Sequence, residues 1–141
     1  ITRLQNMGTP DYLISAACQM VLAQRLARRT CKECRVPDDD VNPKVLQDLG
    51  FTPELASRVK ALKGKGCPKC KDTGYKGRQG LYEILVVSKP VKEAILRKAT
   101  TPELREIAIK EGFQTMQDMG RRLIANGELN FREYERVLTT S

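Results

Sequence analysis

Two Cys-x-x-Cys pairs constrain the fold of this chain more than any other feature of its 141 residues. They are Cys31 with Cys34 and Cys67 with Cys70. Two residues between paired cysteines let both sulfur atoms face one point, so two such turns can close a tetrahedron of thiolates around Zn²⁺. Four protein ligands leave no open position for water, and the sequence contains no histidine to shuttle protons. The pattern therefore predicts a structural zinc site and not a catalytic one.

Two other interpretations of these cysteines are a redox-active Cys-x-x-Cys pair and unligated buried thiols. The chain opens at Ile1 without a signal-peptide pattern, so we expect a fragment of a protein from the reducing cytoplasm, where such pairs favour metal. Lys32, Lys69 and Lys71 lie beside the pairs and can offset the charge of about −2 that four thiolates leave on a dication. The fifth cysteine, Cys18, lies in an apolar stretch and is interpreted as a core residue.

Helix signals account for most of the remaining sequence. A Thr-Pro-Asp start predicts a helix over residues 9–29, and its apolar side chains cover more of the circumference than a surface helix needs, which indicates burial against a larger body. Residues 42–50 and 52–64 each have a cap, a proline and a glycine stop, which predicts a helical hairpin between the cysteine pairs. Residues 81–87 are the best strand candidate and follow a turn-rich segment at 72–77.

The C-terminal half is predicted to be helical. Helices are expected at residues 90–98, 102–111 and 116–126, and a last one begins at Asn130, where Asn130 and Glu133 have capping-box spacing. The predicted fold class is therefore mainly α with a short β segment, in which a zinc-binding tetracysteine module precedes a helical C-terminal region.

The composition is basic, with 25 Lys and Arg against 17 acidic residues and a formal charge of +8. This balance suits anionic partners or a solvated surface, and a basic zinc-ribbon-like nucleic-acid-binding module is the alternative function. That alternative is weakened because the basic segment 60–78 offers only Tyr75 for base stacking. No G-x-x-x-x-G-K-[ST] phosphate loop and no membrane-spanning apolar run occurs, so we expect no ATP hydrolysis by this chain alone.

Three ordered blocks of sequence carry a resemblance to a known family, and a weaker tail extends it through Ala108, Gly112, Thr115-Met116, Gly120 and Gly127. The blocks are Thr2-Arg3-Leu4-x-x-Met7-Gly8, then Ala23-Gln24-Arg25-Leu26-x-Arg28-Arg29-x-Cys31-x-x-Cys34, then Gly66-Cys67-x-x-Cys70-x-x-Thr73-Gly74-Tyr75-Lys76-Gly77-Arg78-x-Gly80-Leu81-Tyr82-Glu83-Ile84-Leu85. Together they resemble the C-terminal part of type II secretion and type IV pilus assembly ATPases.

The resemblance implies a division of the chain and a cellular role. Residues 1–30 would be the terminal helices of a RecA-like α/β ATPase core, residues 31–77 the tetracysteine zinc-binding subdomain, and residues 78–141 a strand and the helical C-terminal region. In the family, cytoplasmic hexamers bind ATP and Mg²⁺ through motifs upstream of Ile1, and they move an inner-membrane platform protein without engaging nucleic acid. The resemblance places Arg78 near the nucleotide base in the intact enzyme; the alternative is an arginine that packs across its turn.

Overall fold

The computed structural model describes residues 1–139, so Thr140 and Ser141, the end of the predicted C-terminal region, lie outside the described residues. Helices and short strands follow one another along the chain in an order that places the two cysteine pairs in turns. The elements are α1 Thr2–Asn6, α2 Asp11–Ala17, β1 Met20–Thr30, β2 Arg35–Pro37, α3 Pro43–Asp48, α4 Pro53–Arg58, β3 Leu62–Gly64, a 3₁₀ turn Pro68–Cys70, β4 Tyr75–Val86, α5 Lys89–Leu96, α6 Thr101–Lys110, α7 Met116–Ala125 and α8 Phe131–Leu138. None of the described helices is long and apolar enough to span a membrane.

The chain divides into two compact units. Unit 1 contains Ile1–Ala23 and Glu83–Thr115, and unit 2 contains Gln24–Tyr82 and the chain from Met116 onward. Strand β1 pairs with β4, and the division between the units falls within both strands. The fold is thus helical with small two-stranded sheets, as the predicted class requires.

Unit 1 is organised by α5, which packs against α2 and α6. Its hydrophobic core cluster is aliphatic and consists of Ile14, Val87, Val91, Ala94, Ile95 and Leu104. Helix α6 begins with a capping box, in which Thr100 Oγ1 accepts from the Glu103 amide at 3.4 Å and Glu103 Oε2 accepts from the Thr100 amide at 2.8 Å. The helices predicted at 90–98 and 102–111 are confirmed, with the second capped one residue earlier than expected.

The helix predicted over residues 9–29 was wrong beyond its first two turns. Helix α2 ends at Ala17, and the chain continues as the strand Met20–Thr30. Exposure alternates at its start, where Met20 and Leu22 are exposed and Val21 is half-buried. A strand with apolar side chains on both faces produces the same excess of apolar residues as a buried helix, and pairing with β4 outweighs the helix propensity of this Ala-, Leu- and Arg-rich segment.

The insert between the cysteine pairs contains the predicted helical hairpin in shortened form. Helices α3 and α4 pack together, and each is capped as expected: Asn42 Oδ1 accepts from the Val45 amide at 3.0 Å, and Thr52 Oγ1 accepts from the Leu55 amide at 3.3 Å. The second helix ends at Arg58 and not near residue 64. Strand β3 follows instead and pairs antiparallel with β2, with Arg35 opposite Gly64 and Pro37 opposite Leu62.

Strand β4 is longer than the predicted strand at 81–87 and begins at Tyr75. The turn interpretation of residues 75–77 was therefore wrong. Gly77 has a φ of 82°, which glycine adopts without strain, so the glycine signal marks an irregularity inside the strand and not its boundary.

The helical tail of unit 2 confirms the last two predicted helices. Helices α7 and α8 pack against each other at Gly120, where an added Cβ would lie 2.7 Å from atoms of Tyr134 and Leu138. Helix α8 begins after Asn130, whose Oδ1 accepts from the Glu133 amide at 2.8 Å.

Candidate metal centre

The four paired cysteines form one cluster in unit 2. Their Sγ atoms all lie within 4.8 Å of one another. The Sγ–Sγ distances are 3.8 Å for Cys31 and Cys67, 3.8 Å for Cys34 and Cys70, and 3.6 Å for Cys67 and Cys70. Four thiolates about 2.3 Å from a tetrahedral Zn²⁺ would be about 3.8 Å apart. The cluster can therefore hold a metal ion with little movement of the sulfur atoms.

Backbone contacts bring the two cysteine turns together. Cys31 directly follows β1, and its amide donates to the carbonyl of Gly74 at 2.9 Å, just before β4 begins. Cys34 directly precedes β2, and its carbonyl accepts from the Lys65 amide at 3.0 Å. The cluster thus connects the end of β1 with the start of β4 and closes off residues 35–66.

Three amides point at cysteine sulfur atoms. The Gly66 amide donates to Cys34 Sγ at 3.2 Å, and the amides of Cys67 and Gly74 donate to Cys70 Sγ at 3.2 and 3.3 Å. Burial of the Cys70 thiol opposes ionisation, but its two amide donors outweigh burial and lower its pKa to about 6. Desolvation instead raises the pKa of Cys34 to about 11, because the single amide donor of this thiol, which lowers the pKa, does not compensate for desolvation. Such donors stabilise the thiolate form that a metal binds.

Two glycines allow the turns to approach closely. A Cβ on Gly64 would lie 2.0 Å from the carbonyl oxygen of Gly74, and one on Gly74 would lie 2.6 Å from the carbonyl oxygen of Gly64. No side chain fits between these backbones. Sequence reasoning treated Gly64 as a lone turn signal and missed this steric role, although its position three residues before Cys67 was visible.

The lysines beside the cysteines are exposed, as their proposed role in offsetting negative charge allows. Lys69 Nζ lies 3.7 Å from Glu33 Oε1, so part of its charge is already paired. Cys18 lies outside the cluster, in the segment between α2 and β1. It is half-buried and packs against the aliphatic core of unit 1.

A buried carboxylate forms a second centre in unit 2. The Glu133 side chain is fully buried and accepts from the Arg28 amide at 2.9 Å, from Arg28 Nε at 3.1 Å and from Arg28 Nη2 at 2.9 Å. Arg136, one turn further along α8, also donates to it. Burial opposes ionisation of this carboxyl, but hydrogen bonds from Arg136 and Arg28 outweigh burial and lower the pKa of Glu133 to about 2. The Glu133 carboxylate therefore binds Arg28 of β1, and it does not form the reciprocal capping-box bond that its spacing predicted.

The arginines at the end of β1 are held by specific partners. The Arg28 guanidinium lies 4.1 Å from the centre of the Tyr75 ring, and the Tyr75 hydroxyl accepts from Asn130 Nδ2 at 2.9 Å. Arg25 donates to the carbonyl of Val137, and Arg29 donates to Gln79 Oε1. These arginines lie at the end of a strand, and not at the end of the helix predicted over residues 9–29, and they contact neighbouring elements.

Arg78 is exposed on β4 and lines a hollow with Leu26, Ala27, Arg28 and Arg136. Its predicted position near a nucleotide stays a prediction.

Comparison with known proteins places this chain among secretion and pilus proteins. Residues 1–136 match the family described as type II/IV secretion system protein. The type IV pilus assembly ATPase PilB of Myxococcus xanthus is 34% identical over 133 residues, which are 94% of this chain and 24% of that protein. PilB of Thermus thermophilus is 40% identical over 120 residues, which are 85% of this chain and 13% of that protein. The type II secretion system protein HxcR of Pseudomonas aeruginosa is 33% identical over 137 residues, which are 97% of this chain and 25% of that protein.

The chain therefore belongs to the type II/IV secretion system protein family, and its relatives include pilus assembly ATPases. It spans a quarter or less of the length of these three relatives.

Proposed function

We propose that this chain is the zinc-binding C-terminal region of a hexameric ATPase that powers type IV pilus assembly or type II protein secretion. The clustering of the four cysteine sulfur atoms within 4.8 Å of one another carries the proposal, because it occurs in a chain that matches pilus and secretion ATPases over nearly all of its length. Cys31, Cys34, Cys67 and Cys70 would hold a structural Zn²⁺, whose chemistry is to fix the two turns. ATP and Mg²⁺ would bind elsewhere in the full protein, next to a RecA-like core.

The proposed zinc would act by holding an insertion in place. Residues 35–66 leave the strand pair at one cysteine turn and return at the other, and they include α3, α4 and the β2–β3 hairpin. Closing a segment of this length on a metal ion reduces the conformational entropy of the unfolded chain. The few buried residues of the insert would compensate poorly for that entropy without the metal. Leu55 on α4 is half exposed, and the proposal takes it as a contact for the inner-membrane platform protein at the cytoplasmic side.

The test uses the full-length protein in its own host. Cys31→Ser and Cys67→Ser should each abolish piliation or secretion and remove zinc from the purified protein, as measured by elemental analysis. Cys18→Ser is the matched control, because Cys18 is a cysteine outside the cluster, and it should leave both zinc content and assembly unchanged. Normal assembly by the two cluster variants would refute the coupling role, and absence of zinc from the wild-type protein would refute the metal.

Thiol titration separates zinc from redox chemistry. With zinc bound, four of the five thiols should react only after a chelator is added, whereas the thiols of a redox pair would react with the reagent, or be converted to a disulfide by an added disulfide oxidant, without a chelator. Leu55→Ser tests the partner contact: it should weaken binding of the platform protein while zinc content stays at one ion per chain.

A further inference from the structure

We propose that Arg121 is a positioning residue that docks the insertion, residues 35–66, on helix α7. The cysteine turns lie at the two ends of the insertion, so a metal ion bound there fixes only its base. Arg121 lies on α7 and contacts the end of α3, which is inside the insertion. The inference rests on the role proposed above for this segment, and it adds an attachment that contains no metal ligand.

The side chain of Arg121 binds the C-terminal end of α3. Its Nη1 donates to the carbonyl oxygen of Leu49 at 3.1 Å, and Leu49 is the C-cap residue of that helix. Carbonyl groups in the last turn of a helix have no donor within the helix, and they carry the negative end of its dipole. A guanidinium group therefore stabilises this helix end both as a hydrogen-bond donor and as a cation.

Gly50 gives the guanidinium group room at this helix end. A Cβ atom at Gly50 would lie 3.0 Å from Nη1 and 3.3 Å from Cζ of Arg121, which is closer than ordinary van der Waals contact. The φ angle of Gly50 is 106°, which glycine adopts without strain. The absence of a side chain at position 50 thus lets Arg121 lie against the backbone of the insertion.

Arg121 is also held by partners on α7 and α8. It forms an ion pair with Asp118, one turn earlier on α7, and a hydrogen bond with the buried Tyr134 on α8. Its own side chain is 25% exposed, so water competes only in part for these bonds. An arginine whose planar fork is fixed in this way loses less conformational freedom with each hydrogen bond that it forms. Arg121 therefore connects α3, α7 and α8, all of which belong to unit 2.

A second contact joins the insertion to the chain just after α7. Arg35 Nη1 donates to the carbonyl oxygen of Gly127 at 3.4 Å, and Leu62 Cδ1 would lie 2.7 Å from a Cβ atom on Gly127. Arg35 lies on β2 and Leu62 on β3, so the two-stranded sheet of the insertion packs beside the C-terminal end of α7. Because the insertion contacts α7 at Arg121 and the chain again beyond its last turn, a movement of α7 carries the insertion with it.

Hydrogen exchange of the purified full-length protein tests the contact. Arg121→Gln should accelerate exchange at the end of α3, residues 46–51, about tenfold, because a hydrogen bond from a charged donor is lost. Arg121→Lys should restore part of the protection, since an ammonium group still donates to the Leu49 carbonyl but lacks the planar fork. Arg132→Gln is the matched control, because Arg132 is exposed on α8, and it should leave residues 46–51 unchanged.

A double-variant cycle separates the contact from a general loss of stability. Gly50→Ala should accelerate exchange in the same segment through two effects, which are strain at a positive φ and displacement of the Arg121 guanidinium. In the Arg121→Gln background only the strain remains, so Gly50→Ala should cause a smaller acceleration there than in the wild type. Equal accelerations in the two backgrounds would overturn the proposed contact.

Assembly in the native host tests the positioning role. Arg121→Gln should reduce piliation or secretion several-fold while the zinc content stays that of the wild type, and Arg121→Lys should recover part of the loss. Unchanged exchange at residues 46–51, equal effects of Arg121→Gln and Arg132→Gln, loss of zinc, or wild-type assembly despite faster exchange would each overturn the proposal. Absence of zinc from the wild-type protein would refute the metal proposal alone, because the Arg121 contact contains no metal ligand.

Discussion

The core of unit 1 is aliphatic and comes from helices and a strand end whose buried residues recur with regular spacing. Unit 2 also buries apolar residues, but it adds four clustered thiols and one fully buried carboxylate. Its polar contacts join residues far apart in the chain, such as Cys31 with Gly74 and Arg28 with Glu133. Stabilisation by an aliphatic core depends on buried apolar area and not on one chemical group. Stabilisation by a metal-binding thiol cluster is lost when a chelator removes the metal, and stabilisation by a buried carboxylate is lost when that carboxylate is protonated. The two units should therefore respond differently to chemical change.

Metal removal should give the largest difference between the units. Chelation, or Cys31→Ser, should abolish hydrogen-exchange protection in residues 31–74, because structural zinc sites supply much of the folding free energy of small modules. Protection of α5 and α6 in unit 1 should persist, since Val91 and Ile95 are buried in a core without metal ligands. Mass spectrometry measures the exchange, and an equal loss of protection in both units would contradict the expected difference between them.

A steric substitution beside the cluster should have the next largest effect. Gly64→Ala places a Cβ 2.0 Å from the carbonyl oxygen of Gly74, so the two turns must separate, and we expect a loss of about 3 kcal/mol in the free energy of unfolding together with weaker zinc affinity. Gly77→Ala is the control, because it meets no atom within 4 Å and costs only backbone strain of about 1 kcal/mol at a positive φ. Denaturant unfolding and zinc competition measure both quantities.

The buried carboxylate gives the third prediction. Glu133→Gln should destabilise the chain by about 2 kcal/mol, which is less than the loss of a fully buried ion pair costs, because both arginine partners are half exposed to solvent. Glu135→Gln, on the same helix but exposed, should change stability by less than about 0.5 kcal/mol. Equal effects of the two variants would show that Glu133 does not stabilise unit 2.

The same residue predicts a pH dependence. The pKa of Glu133 is about 2 in the folded chain, below its ordinary value of 4.5, so its stabilisation is complete above pH 4.5 and is lost as the pH falls towards 2. Because acid also protonates the cysteines, the measurement is the difference in stability between wild type and Glu133→Gln at each pH. That difference should shrink between pH 4.5 and 2, and a constant difference would contradict the assignment.

The smallest effect is expected in unit 1. Thr100→Ala removes the side-chain acceptor that caps α6 and should cost about 1 kcal/mol. Hydrogen exchange should increase in the first turn of α6 while the cysteine cluster keeps its zinc. Thr101→Ala, at the neighbouring position that does not cap α6, should have a smaller effect.

Local signals in the sequence were sufficient for much of the fold. Helix starts at Asn42, Thr52 and Asn130 were correctly predicted, because a cap acts within three residues of itself. The sequence also selected the four cysteines that the structure brings within 4.8 Å, although their role as ligands stays a prediction.

Contacts between distant segments were not predictable in the same way. Residues 20–29 have helical propensity, and their strand form depends on β4, about 50 residues further along the chain. The partnership of Arg28 with Glu133 was missed because 105 residues separate the two in the sequence. Spacing along the chain carries no signal for such a pair.

The two turns that close residues 35–66 also make the contact between the strands independent of the structure of that insertion. Cys31 and Gly74 meet at the base of the insertion, so the strands contact the same backbone whatever lies beyond the cysteines. Helices of another length or surface can replace α3 and α4 provided that the cysteines and Gly64 are kept. A chain built in this way can change the length and surface of residues 35–66 while the backbone contact between the ends of β1 and β4 is kept.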